Sequence, residues 1–454
     1  MQKSVYMKTF GCQMNLRDSE IMRQMLAGIG YATQAATPEH ADLVVINTCS
    51  VRAKAEQKVY SLLGQLKGNA TDSAKQIVAV TGCVAQQEGS TLFQRMPHVN
   101  IVLGTQQIYR LADLVLAAEQ ESSSHTLATG LSSSFVIPAF HKLPFPAVSQ
   151  QITDEEPRHK RFVNIMQGCN NFCAYCVVPY TRGREISRPL GHILDEAQAL
   201  VESGVKEITL LGQNVNSYGQ TNRVADTPVT FSDLLRQVAR ISGLQRLRFT
   251  TSHPKDLSPE LIGCFDELDI LCPQFHLPVQ SGSNAVLRRM NRGYTREEYL
   301  SKVEQLLERR PEMAIATDII IGFPGETEED FSLTLDLLRQ VRYHSSFFFK
   351  YSDRPHTPAA TFPDKVEPAV ASRRFQEFQE LQDHISLERN QEYLGKTVEV
   401  LIDQINRKAS TANGRTPTNH IVHFPPEPQH NQGDLVQVRI TGAGRHSLKG
   451  ETLP

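Results

Sequence analysis

The chain has 454 residues, 21% of them charged, and a formal net charge of −2; its length asks for several domains rather than one core, and its charge is that of an ordinary soluble surface that selects no partner. No run approaches the roughly 18 apolar residues of a membrane span, and the chain opens on strand-like SVYMKTF rather than a signal peptide, so a cytoplasmic protein with no membrane partner is expected. In a reducing compartment its eight cysteines are read as metal ligands or buried thiols rather than disulfides.

Residues 1–118 alternate strand-like and helix-like segments: VYMKTF, a helix from Leu16, DLVVINT, a helix from Arg52, QIVAVTG, another helix, NIVLG and a last helix. Such alternation builds a parallel α/β sheet. Cys12, Cys49 and Cys83 each follow one of those strands, at intervals of 37 and 34 residues, one strand-helix unit apiece. The C-terminal ends of neighbouring parallel strands lie together, so these thiols are expected to converge on one sheet edge. The competing reading is three small buried residues at strand ends. Residues 119–154 lose the pattern in SSSHTLATGLSSS and a proline-containing stretch, and read as a linker.

A second series spans 155–392, with strands at FVNIMQ (162–167), EITLLG (207–212), RLRFTT (246–251), FHLPV (275–279), ATDIIIGF (316–323) and SSFFFKYS (345–352). Helical segments such as LDEAQALVESG and DFSLTLDLLRQV separate them. These strand-helix units suggest an open (β/α)6 barrel with its cofactor loops at the C-terminal strand ends. A helical connector, SRRFQEFQELQDHISLERNQEYL, closes the series. Residues 393–454 turn β-like, with alternating runs KTVEVLIDQ, HIVHF and DLVQVRITG between Gly, Pro and Asn; a small all-β barrel of OB type is expected. The chain is thus an α/β multidomain protein. Cys264 and Cys272 share no spacing with other cysteines and read as structural.

After the first strand of the second series comes Cys169-Asn-Asn-Phe-Cys173-Ala-Tyr-Cys176. A closed structural zinc site wants four ligands, whereas a cubane held by three thiolates keeps one iron open. A zinc site completed by a distant residue and three unconnected core cysteines are the alternatives. The Cys-x3-Cys-x2-Cys spacing, with Tyr175 before the last cysteine, resembles the radical S-adenosylmethionine (SAM) superfamily. That resemblance implies a [4Fe-4S] cluster on Cys169, Cys173 and Cys176 whose open iron binds SAM, which is then cleaved to methionine and a 5′-deoxyadenosyl radical.

The N-terminal cysteine triplet, CNNFCAYC followed by VVPYTRGREISRP, and the terminal β domain together resemble the methylthiotransferase family. The resemblance implies a second, auxiliary [4Fe-4S] cluster on Cys12, Cys49 and Cys83, a radical SAM core and a C-terminal TRAM domain. LLGQNVNSYG, RFTTSHPKDL, FHLPVQSGSNAVLRRMNRGYT, DIIIGFPGET and GRTPTNHIVHF resemble the branch that acts on N(6)-dimethylallyladenosine beside the tRNA anticodon and installs a 2-methylthio group. One SAM would donate the methyl and another the radical, with sulfur delivered at the auxiliary cluster. A tRNA substrate, a reducing electron-donor protein and a monomeric chain are the expected partners and state. Sibling branches modify a ribosomal-protein aspartate or threonylcarbamoyl-adenosine; an RNA-binding iron-sulfur protein without catalysis is the reading from another class. RPHTPAA departs from the pattern, with His356 where glycine is expected.

For SAM the candidate contacts are Gly183, Glu185, Gln213, Asn214, Gln280, Ser281, Asp318 and Gly322, at or just after strand ends; each is equally a turn or cap residue on local grounds. The basic stretches RHKR (158–161), TRGR (181–184) and LRRMNR (287–292) are candidates for phosphate contacts, or solvated faces. Phe347, Phe348 and Phe349 read as strand core rather than as a stacking surface for a base.

Overall fold

The computed structural model describes residues 3–50, 53–69, 76–120, 125–139, 158–221 and 229–453; of the span read as linker, 121–124 and 140–154 lie outside the described residues. The chain divides into two compact units. One comprises Met1–Ile152, Asn164–Asn170 and Cys176–Asp195, the other Thr153–Val163, Asn171–Tyr175 and Glu196–Pro454.

The first unit is built on a parallel sheet of six strands, ordered Thr33–Gln34, Ser4–Phe10, Leu43–Thr48, Ile77–Gly82, Ile101–Leu103 and Thr126–Ala128. Leu43–Thr48 and Ile77–Gly82 are buried along their whole length, as strands covered on both faces must be. Period-two alternation divides their side chains. Leu43 and Val45 pack with Met22 and Leu26 of the helix Gln13–Gly28, and Val44 and Ile46 with Val59 and Leu63 of the helix Ala53–Asn69. The sixth strand, Thr126–Ala128, falls in the span read as linker. Three residues between a serine run and a glycine are too short to display an alternation, and only the pairing of Ile101 with Thr126 makes them a strand. FVNIMQ is likewise divided: Lys160–Asn164 joins the second unit's sheet, and Met166–Gln167 pairs antiparallel with Ile186–Ser187.

In the second unit Lys160–Asn164, Glu207–Leu211 and Arg246–Phe249 form one three-stranded sheet, and Gln274–His276, Ala314–Ile321 and Ser345–Lys350 another. A parallel bridge between Leu247 and Leu271 carries the pairing from one to the other, giving the open six-stranded arrangement expected. Alternation decides which faces meet helices. Phe249 stacks edge-on to Phe231 at 5.1 Å, while Arg246 and Arg248, on the other face, turn to the C-terminal domain. The same rule splits the three phenylalanines. Phe348 packs on Phe375 and Phe378, each at 4.8 Å, in the helix Pro368–Gln391, whereas Phe347 and Phe349 are 51% and 41% exposed; only Phe348 builds core.

The C-terminal domain is a closed barrel, ordered Thr397–Asn406, Thr411–Arg415, Ile421–Phe424, Leu448–Thr452 and Leu435–Ala443. Val400, Ile402, Val422, Phe424, Val438 and Ile440 fill it. It is held to the strand Arg246–Phe249 by two buried arginines: Arg246 donates to the Arg415 carbonyl at 2.7 Å, and Arg248 to those of Thr416 and Pro417 at 2.8 and 2.7 Å. No helix among the described residues is long and apolar enough to cross a membrane.

Candidate functional site

In the N-terminal sheet the ladder sets Phe10 opposite Thr48 and Thr48 opposite Gly82. Cys12, Cys49 and Cys83 therefore leave three adjacent strands at one level, and the Cys49 amide donates to the Phe10 carbonyl at 2.9 Å. Cys12 is the N-cap of the helix Gln13–Gly28, a position that favours negative charge. Cys49 and Cys83 are buried and Cys12 is exposed. The three thiols are within hydrogen-bonding reach through Cys49. That hydrogen bond is the main reason Cys12 is pushed down to about 6 and Cys83 to about 7, against burial and with help from the Arg182 charge. Cys49, hydrogen-bonded to both neighbours, is raised.

Two glycines leave room for this edge. A Cβ on Gly11 (φ +147°) would lie 2.4 Å from the Cys49 Cβ, and one on Gly82 (φ +88°) 2.3 Å from Asn47 Oδ1. Asn47 and Asn15, passed over by sequence reasoning, pin the edge from beneath. Asn15 Nδ2 donates to Asn47 Oδ1 at 3.0 Å, Asn47 Nδ2 donates to the Asn15 carbonyl at 2.8 Å, and the Cys12 thiol donates to Asn15 Oδ1 at 3.3 Å. Their signal was an amide inside an otherwise apolar strand and one turn into a helix. Among the described residues no three His, Cys, Asp or Glu side chains are disposed to hold a single metal ion. A cubane asks for something else, one thiolate to each of three irons, and three thiols meeting at one edge fit that demand.

The segment after the cysteine loop contributes to the same unit. The Thr105 hydroxyl donates to the Thr181 carbonyl at 2.6 Å, and Arg182 Nη2 donates to Asp18 Oδ2 at 2.8 Å, both side chains of that ion pair buried. Arg182 is therefore neither a solvated charge nor a phosphate contact, and of TRGR only Arg184 is exposed.

In the loop itself Gly168 (φ +82°) lies where a Cβ would be 2.1 Å from the Arg184 carbonyl oxygen, and the Cys169 amide donates to the Gly183 carbonyl at 3.3 Å. Cys173 is buried. Arg292, itself buried, donates from Nη1 to its Sγ at 3.3 Å and from Nη2 to the Pro278 carbonyl at 2.6 Å. The flanking Ala174 amide donates to the Met290 carbonyl at 2.9 Å, and its carbonyl accepts from the Ala359 amide at 2.8 Å. His253 Nε2 lies 3.9 Å from Cys173 Sγ, and burial, then the Arg292 charge, hold its imidazole neutral. LRRMNR therefore exposes Arg288 and Arg289 but commits Arg292 to the loop. In RHKR, His159 and Lys160 are turned to Asp403 of the C-terminal barrel. Cys264 and Cys272 are buried thiols raised by that burial.

The candidate SAM contacts differ in how fully the protein already engages them. The Glu185 amide donates to Asn170 Oδ1 at 3.2 Å, and Gly183 (φ +84°) receives the Cys169 amide; both belong to the first unit. In the second, the Ser281 hydroxyl accepts from the Ser283 amide at 3.2 Å, and the Asp318 carboxylate from His276 Nε2 at 2.9 Å. The Gly322 amide donates to Glu326 Oε1 at 3.1 Å, and the Gln280 amide (φ +75°) to the Asp318 carbonyl at 2.8 Å. Gln213 is half-buried. Asn214 donates to Asp256 at 2.7 Å, but its buried Oδ1 has no partner. Both amide atoms of Asn216 and the Ser252 hydroxyl are also buried and unpartnered. These residues sit on the loops after the second and third barrel strands, tied by the Val215 amide donating to the Thr251 carbonyl at 3.0 Å. A buried polar group without a partner costs about 1–3 kcal/mol, so a ligand bearing amino, carboxylate and hydroxyl groups, as SAM does, fits this place. Asn216 and Ser252 carry no sequence signal of their own beyond the motifs LLGQNVNSYG and RFTTSHPKDL in which they stand.

The chain matches the models of three families: Uncharacterized protein family UPF0004 over residues 4–104, the Radical SAM superfamily over 163–338 and the TRAM domain over 391–453. It is 55% identical to the tRNA-2-methylthio-N(6)-dimethylallyladenosine synthase of Desulfotalea psychrophila, across 99% of this chain and 98% of that one. To the synthase of the same name from Geobacter metallireducens it is 47% identical, again across 99% and 98%. Among solved structures, the radical S-adenosylmethionine methyltransferase TsrM from Kitasatospora setae shares the fold at a TM-score of 0.55 and 16% identity, over 79% of this chain and 75% of that one.

Proposed function

The chain belongs to the tRNA-2-methylthio-N(6)-dimethylallyladenosine synthase family, and from that premise we infer that it is a radical SAM methylthiotransferase converting N(6)-dimethylallyladenosine beside the tRNA anticodon to its 2-methylthio derivative. The observation that supports this best is the level exit of Cys12, Cys49 and Cys83 from three adjacent strands, in a chain that also carries Cys169-x3-Cys173-x2-Cys176.

Carbon 2 of the adenine bears an unactivated C–H bond that acid-base catalysis does not open, and the carbon must then receive sulfur. Bound SAM and two [4Fe-4S] clusters supply the hydrogen-abstracting radical, the methyl group and reactive sulfur. The residues divide the work of holding them. Cys169, Cys173 and Cys176 hold one cluster, with Arg292 donating to the Cys173 sulfur; Cys12, Cys49 and Cys83 hold the other. Asn214, Asn216 and Ser252 bind polar groups of SAM, with Gly183, Glu185, Gln213, Gln280, Ser281, Asp318 and Gly322 as further contacts. The C-terminal barrel binds the tRNA, a reducing protein of the cytoplasm supplies electrons, and the chain works as a monomer.

The test is anaerobic incubation of the reconstituted chain with SAM, a reductant and tRNA carrying the dimethylallyl group, followed by mass spectrometry of the digested nucleosides. The 2-methylthio nucleoside is expected. Its absence, with methylthiolation of a ribosomal-protein aspartate or of threonylcarbamoyl-adenosine instead, would move the chain to a sibling activity.

A further inference from the structure

Arg182 is a buried guanidinium whose two ends are treated differently. Nη2 is fixed to Asp18 Oδ2 at 2.8 Å, while Nη1, equally shielded from water, has no hydrogen-bond partner. The residue is 3% exposed. A charged donor left orphaned in such a place is costly, and buried polar atoms without partners are rare enough in folded proteins to need a cause. The groups that feel the Arg182 charge include, beside Asp18, the thiols of Cys83 and Cys12. Charge balance points the same way. Arg182 faces Asp18, and Arg17 is paired with Glu20 at 2.7 Å, so these four side chains sum to zero, and an anion at the sheet edge would meet the free end of Arg182. A [4Fe-4S] core of charge 2+ on three thiolates is such an anion, and it gains a further negative charge on reduction.

Resting on the reading of Cys12, Cys49 and Cys83 as cluster ligands, we propose that Arg182 is the cationic partner of the auxiliary cluster, held by Asp18 so that Nη1 donates to one of the cluster's sulfurs. Arg182 is then a positioning residue that raises the reduction potential of this cluster, because a nearby cation stabilises the more negative, reduced form. It lies in TRGR, close after the cysteine loop, in a segment the sequence had offered to phosphates.

The experiment uses the full chain carrying Cys169→Ala, Cys173→Ala and Cys176→Ala, so that iron reports the auxiliary site alone, and compares it with the same chain bearing Arg182→Met or Arg182→Lys. All are reconstituted anaerobically and followed by paramagnetic resonance during redox titration. Arg182→Met should keep its iron but show about a tenfold lower ratio of reduced to oxidised cluster at a fixed potential, 59 mV for a one-electron couple, while Arg182→Lys should stay within about threefold of the parent. Equal midpoints in parent and Arg182→Met would overturn the proposal. Should Arg182→Met fail to fold, parent protein grown with 15N-arginine decides the matter: a nitrogen hyperfine coupling on the reduced cluster is expected, lost in Arg182→Lys, and its absence in the parent overturns the proposal. A parent that binds no iron overturns instead the assignment of the three cysteines, a result distinguishable from an iron-loaded parent indifferent to residue 182.

Discussion

Gly82 shows how much of a site can rest on an atom that is missing. With φ at +88° and a would-be Cβ 2.3 Å from Asn47 Oδ1 and 2.8 Å from the Thr48 carbonyl oxygen, any side chain both strains the backbone and displaces the amide pair beneath the thiols. Gly82→Ala should cost at least ~2 kcal/mol in urea unfolding of the metal-free chain and should abolish iron binding at Cys12, Cys49 and Cys83. Gly89 is the control, since it also has positive φ (+52°) but nothing within 4 Å of its would-be Cβ; Gly89→Ala should lose less and keep its iron. Equal losses at the two positions would remove the steric argument. Asn216 makes the opposite case, an atom present without a partner. Asn216→Ala should leave the metal-free chain as stable or slightly more so, because an orphaned buried amide has gone, yet weaken SAM binding about tenfold, as loss of roughly one net hydrogen bond implies; equilibrium dialysis with the cluster-loaded chain measures it. Lost stability with unchanged SAM binding would make Asn216 structural. The level exit of Cys12, Cys49 and Cys83 was legible in sequence because each follows a strand of one parallel sheet, and Cys169, Cys173 and Cys176 stand together because they share one short loop. Asn15, Asn47, Arg182 and Arg292 were not legible, because each acts on a residue that only register or a long-range contact brings near.

At the scale of elements, the alternating series of the first two domains could be read because each strand buries one face or both, and apolar periodicity records that burial. Where the pattern was weak, pairing decided. Thr126–Ala128, Thr411–Arg415 and Leu448–Thr452 are strands because their neighbours' edges are open to them, and nothing in TLA, TANGR or LKGET announces it. The turn from Arg415 to His420 links two barrel strands while its carbonyls receive Arg246 and Arg248. His420 closes it, with Nδ1 2.9 Å from the Thr418 hydroxyl and its ring against Tyr393 and His344 at 4.6 and 5.3 Å. Burial lowers His420 from 6.5 to about 4. A histidine whose folded pKa is depressed binds more protons in the unfolded chain, so its stabilising effect is full above about pH 6.5 and is lost as pH falls toward 4. The shift corresponds to on the order of 3 kcal/mol. Thermal unfolding of His420→Gln should therefore lose part of the drop in stability between pH 6.5 and 4 that the parent shows, with His344, lowered by burial, His420 and Arg389, and His253, lowered by burial and the Arg292 charge, contributing as well. An unchanged pH profile would mean that His420 is already open to water in the native state.

For the whole molecule the question is whether two cysteine triplets in one chain do one job or two. If the three loop thiols serve radical formation and the three sheet-edge thiols serve sulfur delivery, their loss must fail at different steps. Cys49→Ala removes the thiol that hydrogen-bonds to both neighbours, yet it lies far in sequence from Cys169, Cys173 and Cys176. It should halve the iron per chain, abolish the methylthio product and still permit SAM cleavage to 5′-deoxyadenosine in the presence of reductant. Cys173→Ala removes the sulfur that Arg292 contacts at 3.3 Å; it should also halve the iron, but leave neither product nor cleavage. Chromatography of the nucleosides in one reaction tube measures both outcomes. Cleavage that vanished equally in the two variants would tie the triplets into a single functional unit, and a methylthio product surviving Cys49→Ala would put the sulfur source elsewhere than the N-terminal sheet.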